Sequence, residues 1–116
     1  MQATKPLCVK LEGTQKYQRL FAGIPQTCGM RSGYVRLTPG ESVGAHNTDA
    51  REEAIVILSG KAEIHTGESD VFSAEAGSVI YMPPHTPHDI KNIGQETLRY
   101  VYVVSPLTAA TEKQET

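Results

Sequence analysis

Glycine and proline punctuate this chain at short, regular intervals, and that spacing constrains its fold more than any other feature. From Pro39-Gly40 onward the turn signals come as Ser59-Gly60, Gly67, Gly77, Pro83-Pro84 and Asn92 to Gly94. Proline removes a backbone donor and glycine carries a large entropic cost in a helix interior, so few windows can hold a helix of ordinary length. Between the turns lie short runs rich in β-branched and aromatic residues, which favour a pleated backbone. The pattern predicts strands over 17–21, 34–37, 53–58, 61–65, 70–72, 78–82, 88–91 and 98–104, with a short extended piece at 7–9. Many short strands at this spacing make an all-β sandwich or barrel.

A length of 116 residues with 39% hydrophobic content supports one domain. We expect an N-terminal arm with edge strands over 1–33, a barrel core over 34–105 and a polar, fraying tail over 106–116. Eleven basic residues against thirteen acidic ones leave a charge of -2. That balance offers no surplus of cations for a phosphate backbone, and it excludes a highly charged disordered segment. No apolar run approaches the roughly 20 residues that span a bilayer. The N-terminal lysine is followed by no apolar core of a leader, so no secretory signal is expected and the cytoplasm is the expected location. Cys8 and Cys28 are too few for a disulfide framework, lack CxxC spacing, and read as buried thiols.

The histidines carry the chemistry: His46, His65, His85 and His88. Strand period two puts Glu53 on the same face as Ile55 and Ile57, where an ionised carboxylate is costly unless paired or metal-bound. Glu52 then points outward. His88 shares a face with Ile90, and His46 shares one with Thr48 if that piece is extended. His65 falls on the parity opposite Ile64 and should face solvent. A His, Glu, His set would form a facial arrangement with open positions, suited to Fe, Mn, Ni, Co or Zn. Read from parity alone, His46 and His88 could equally be unrelated polar turn residues.

Fixed spacing adds a resemblance. Gly40, five residues, His46, then Glu53, six residues and Gly60 follow the first motif of the cupin family. Gly77, five residues, Pro83, then His88, three residues and Asn92 follow its second. The chain therefore resembles a small single-domain cupin of the conserved-barrel type. The resemblance implies a double-stranded β-helix, or jelly-roll, barrel of two antiparallel sheets with one divalent metal ion per chain between them. It implies His46, Glu53 and His88 as metal ligands. It also implies a small-molecule ligand and a homodimer, with the arm before residue 22 available for exchange. Neither a nucleic acid nor a membrane is expected as partner.

Two positions depart from the family pattern. Thr48 stands where many cupins have a second metal-binding histidine, and a threonine hydroxyl would at most hold a metal-bound water. His85 stands where the second motif has glycine. It could replace the missing ligand, carry a proton near its ordinary pKa of about 6.5, or sit on the rim in solvent. His85, Arg36 and Tyr81 are the candidate catalytic residues, Arg36 for an anionic substrate and Tyr81 as a pocket wall. Tyr100, Tyr102 and Met82 are further wall candidates, and Asn92 reads as a turn former. The expected function is that of a metal-dependent enzyme acting on a small organic molecule, a carboxylate among the candidates, by Lewis-acid or oxygen-activating chemistry. The reaction, whether dioxygenase, isomerase or decarboxylase, is not fixed by the fold. A non-catalytic ligand-binding or sensor barrel is the competing class, and a metal-free interaction barrel a third.

Overall fold

Alternation of apolar and polar residues is cleanest in the strand Arg51–Ser59 (β4), where Glu53, Ile55 and Ile57 are buried and the residues between them are half-exposed. Around it the computed structural model, which describes residues 4–67 and 69–107, arranges strands alone. They are β1 (Tyr17–Ala22), β2 (Arg31–Leu37), β3 (His46–Asn47), β4, β5 (Lys61–His65), β6 (Val71–Glu75), β7 (Val79–Met82), β8 (Pro87–Asn92) and β9 (Leu98–Pro106). No helix among the described residues is long and apolar enough to cross a membrane.

Two antiparallel sheets result. One has the order β1-β2-β9-β4-β7 and the other β3-β8-β5-β6. Their inner faces meet over a core of Val35, Leu37, Ile55, Ile57, Ile64, Ile80, Met82, Ile90, Leu98 and Tyr100. Full burial of each such side chain contributes about 1.5–3 kcal/mol, the main drive to close one sheet on the other. Because these residues recur at every second position, strand register decides which side chains enter the interior.

The turns are built for close approach. Gly60 sits at φ 88 beside the β4 irregularity, and a Cβ there would come within 3.0 Å of the Leu98 backbone. Asn92 is buried: its Nδ2 donates to the carbonyls of Leu37 and Glu96, and its Oδ1 accepts from Gly94 N–H. It therefore ties the β8 end to β2 and to the turn before β9.

Several expectations need correcting. Cys8 and Cys28 are free and exposed, because 4–16 run outside the sheets and Cys28 lies on the turn between β1 and β2. Residues 7–9 form no strand. Two-residue β3, too short to show a period, was not expected, and β9 continues to Pro106 by pairing with Arg51. His65 is only half-exposed, its Nε2 2.8 Å from Glu63 Oε1. Of the expected tail, 108–116 lie outside the described residues.

Candidate metal centre

His46 and His88 are Cα partners across β3 and β8, so antiparallel pairing sets both imidazoles on one side. Their ring centroids lie 4.1 Å apart with the planes at 62°. Glu53 reaches the same place from the opposite sheet, two residues into β4. Ligand atoms of the three residues lie within 4.8 Å of one another. His88 and Glu53 are buried, whereas His46 is exposed at the open side.

The protonation pattern follows from the backbone. His46 Nδ1 is 3.0 Å from the carbonyl oxygen of Gly44, and His88 Nδ1 is 3.0 Å from that of Thr86. A carbonyl can only accept, so each Nδ1 carries a hydrogen and donates it. Both Nε2 atoms are left with a lone pair, the arrangement in which a metal-binding histidine is held by its second nitrogen.

His88 Nε2 makes the sharper case. It lies 3.0 Å from Glu53 Oε1 with no exposed side-chain surface, yet it has no hydrogen-bond partner. A buried nitrogen left in this state costs free energy, and a cation held by it and the Glu53 carboxylate would remove that cost. Burial lowers the His88 pKa, but the adjacent Glu53 carboxylate and the Thr86 carbonyl outweigh it and hold the imidazole above its ordinary value. The donor set, two imidazole nitrogens and a carboxylate, fits a first-row divalent ion with open positions.

Thr48 has a different task. Its Oγ1 donates to Pro83 O at 2.7 Å and accepts from Thr86 N–H at 2.9 Å. Those bonds occupy the hydroxyl in pinning the loop that delivers His88, whose Nδ1 rests on the same Thr86. His85 takes the glycine position of the loop with φ 55, its N–H donating to Asp49 O. Its side chain is exposed and is not among the residues lining the cavity.

A cavity of about 550 Å³ opens onto the centre, lined by His46, Thr48 and Glu53 and walled by Tyr100, Tyr102, Phe21 and Val43. Tyr17 and Tyr102 stack across its mouth, their hydroxyls 2.8 Å apart. Burial pushes the phenols of Tyr100 and Tyr102 well above the usual range, with the Tyr17 hydrogen bond adding to the shift at Tyr102, so both stay protonated.

Arg36 and Tyr81 fall elsewhere. Arg36 lies between the inward residues Val35 and Leu37, on the outer face of β2, where its guanidinium and that of Arg99 meet the Tyr34 hydroxyl at 3.5 and 3.2 Å. Tyr81 alternates with buried Ile80 and Met82, is 60% exposed, and donates to Glu52 Oε1. Met82 is core. Sequence reasoning missed Arg19, Arg31 and Arg51, which all line the cavity. Arg51 shares its parity with Glu53, a signal that was present. Arg31 likewise shares its parity with Val35 and Leu37, and Arg19 with Tyr17 and Phe21, while strand pairing brings the two to one cavity.

Comparison with known proteins agrees with this geometry. Residues 33–104 match the family model for the cupin domain. The chain is 30% identical over 86 residues to the polyketide synthase CurC of Streptomyces cyaneus, covering 72% of this chain and 55% of that one. It is 33% identical over 70 residues to an oxalate-binding protein of Thermotoga maritima, covering 60% and 57%. It thus spans about half the length of the curated relatives it matches. Among solved structures, the cupin domain of Cnp3 from Schizosaccharomyces pombe superposes with a TM-score of 0.73 at 23% identity, covering 90% of this chain and 74% of that one. With the motif spacing, the two-sheet barrel and the family match in agreement, this chain belongs to the cupin family.

Proposed function

We propose that this cupin holds one divalent metal ion per chain through His46, Glu53 and His88, and that it is a metal-dependent enzyme acting on a small organic anion. The observation that carries this reading is the buried His88 Nε2, 3.0 Å from Glu53 Oε1 without a hydrogen bond to it. When bound, an Fe, Mn, Zn or Ni ion would supply Lewis-acid or oxygen-activating chemistry toward ligand oxygens. The chain's own residues do the rest. Gly44 and Thr86 carbonyls fix the imidazoles, and Thr48 keeps the His88 loop in place. Tyr100 and Tyr102, kept protonated, present hydroxyl donors along the cavity wall. Val43 and Ile90 add apolar surface to the lining.

A second reading, binding without turnover, is favoured by one observation. His85 is exposed and lies outside the cavity lining, so among the described lining residues the imidazole present is His46, itself a proposed metal ligand, and none is left to move a proton. The relative named for oxalate binding is consistent with it. We further propose a homodimer, supported by the exposed apolar outer face of β7 at Val79 and Tyr81, and a reducing, cytoplasmic setting, supported by the two free thiols.

Oxalate titrated into metal-loaded protein, followed for heat, carbon dioxide release and oxygen uptake, tests both readings. Product formation abolished by Glu53→Gln supports the enzyme. Binding with no product from oxalate or a panel of larger acids supports the binder. Loaded protein that binds none of these acids contradicts both.

A further inference from the structure

Charge in the cavity runs opposite to charge in the chain. The whole chain carries -2, whereas the cavity lining holds Arg19, Arg31 and Arg51 against Glu53 as its one acidic residue, a balance of three positive charges to one negative. Among the described residues none of these guanidinium groups is in an ion pair: those present are Lys16–Glu41, His65–Glu63 and His88–Glu53. Three unpaired cations gathered by separate strands β1, β2 and β4 onto one concavity are not the scatter of a solvated surface. A cleft lined by one sign of charge focuses its field on ligands of the other sign.

The position of the arginines matters as much as their number. Strand register separates the charges across the sheet: Arg51 lies two residues from Glu53 on the same face of β4, Arg31 shares the Glu53 row two strands away through Val104, and Arg19 lies beyond it on β1. Val104 and Tyr102 of β9 stand between β4 and β2, and Phe21, Val35 and Tyr100 complete an aromatic and aliphatic lining. A volume of about 550 Å³ lies within the range for drug-sized ligands. A two-carbon diacid at the metal would leave the walls, Arg19 and Arg31 without a partner.

We propose that the natural ligand is an elongated organic polyanion with an apolar, aromatic body: one acidic group goes to the His46/Glu53/His88 centre, beside Arg51, and a second to Arg19 and Arg31. This rests on the reading of the cavity as the ligand site of a metal centre. Arginine forks suit carboxylate and phosphate alike, and the shared chemistry is a planar or tetrahedral oxyanion on a rigid apolar spacer. Gly33 supports the wall: Tyr102 lies across it so closely that a Cβ would come within 2.6 Å of the ring.

The test uses the full chain, metal-loaded and chelator-treated, titrated calorimetrically with benzoate, terephthalate and para-phosphonobenzoate. Terephthalate or para-phosphonobenzoate is expected to bind about tenfold more tightly than benzoate, and whichever is tighter identifies the distal group. The advantage should disappear in an Arg19→Gln/Arg31→Gln variant, largely return with lysines at the same positions, and shrink as salt is raised. Metal content, read separately by elemental analysis, should not change in the arginine variants. Equal binding of the mono- and di-acids, or an advantage that survives the glutamine substitutions, overturns the proposal while leaving the metal reading intact. A diacid preference that persists in protein unable to take up metal supports the arginine pair and removes the metal reading instead.

Discussion

His88 Nε2 and Glu53 Oε1 face each other from opposite sheets at 3.0 Å, both buried, without forming a hydrogen bond. Register explains the meeting. β8 pairs with β3 in one sheet and β4 with β9 in the other, and each strand turns its functional residue inward by the same alternation that buries Ile90 and Ile55. The site is thus a by-product of core formation, with polar residues substituted into apolar positions near the cavity.

Without metal, the His88–Glu53 contact makes stability depend on pH. The His88 pKa is raised in the fold, chiefly by Glu53 acting against burial. A raised folded-state value means the native state binds the proton more tightly. Its stabilisation is fully present below the ordinary imidazole value of about 6.5 and is lost as pH rises through the elevated one. Denaturant unfolding of chelator-treated protein from acid to mildly alkaline pH should show that decline, and Glu53→Gln should flatten it. Metal-loaded protein should behave oppositely, because protons compete with the ion for the same atoms.

Thr48→Val keeps the shape and removes both hydroxyl bonds. Pro83 O and Thr86 N–H then lose their partner in a half-buried setting, at a cost of about 1–3 kcal/mol. Thermal unfolding should show that loss, and metal affinity should fall with it because the loop carries His88. Thr48→Ser should restore most of both.

Gly33→Ala should destabilise by about 1–3 kcal/mol, since the added methyl group must move the Tyr102 ring and the hydroxyl contact with Tyr17. In a Tyr102→Ala background the same substitution should be much milder. A double-mutant cycle measures the difference, and additivity of the two changes would contradict the close packing described.

His85→Gly restores the residue of the family pattern at a left-handed backbone position, φ 55. Relief of that conformation is opposed by the flexibility of glycine in the unfolded chain, so stability should change by no more than about 1 kcal/mol. Metal content and ligand affinity should stay at the wild-type level. A loss of metal would make His85 a ligand after all.

What was legible in the sequence was whatever depends on local period and spacing. Glu53 reads inward beside Ile55 and Ile57, and the motif intervals bring His46 and His88 to it. The same alternation places Tyr81 between inward Ile80 and Met82, and Arg36 between Val35 and Leu37, so their outward direction was present in the sequence but not weighed. The cysteines were hidden by a different cause. A short apolar run such as 7–9 looks buried, yet burial requires a partner strand, and this segment pairs with none. The face of Arg31 was likewise local, since it shares parity with Val35 and Leu37, but its meeting with Arg19 in one cavity depends on pairing across β1, β2 and β9.

Elemental analysis of untagged protein prepared without chelator and loaded in turn with Fe(II), Mn(II), Ni(II) and Zn(II) tests the metal centre most directly. The account predicts one ion per chain in the wild type and in His85→Gly, and loss of the ion in Glu53→Ala and His88→Ala, with all four proteins folded. Failure of every ion to bind the wild type, or retention of metal in both alanine variants, would contradict it.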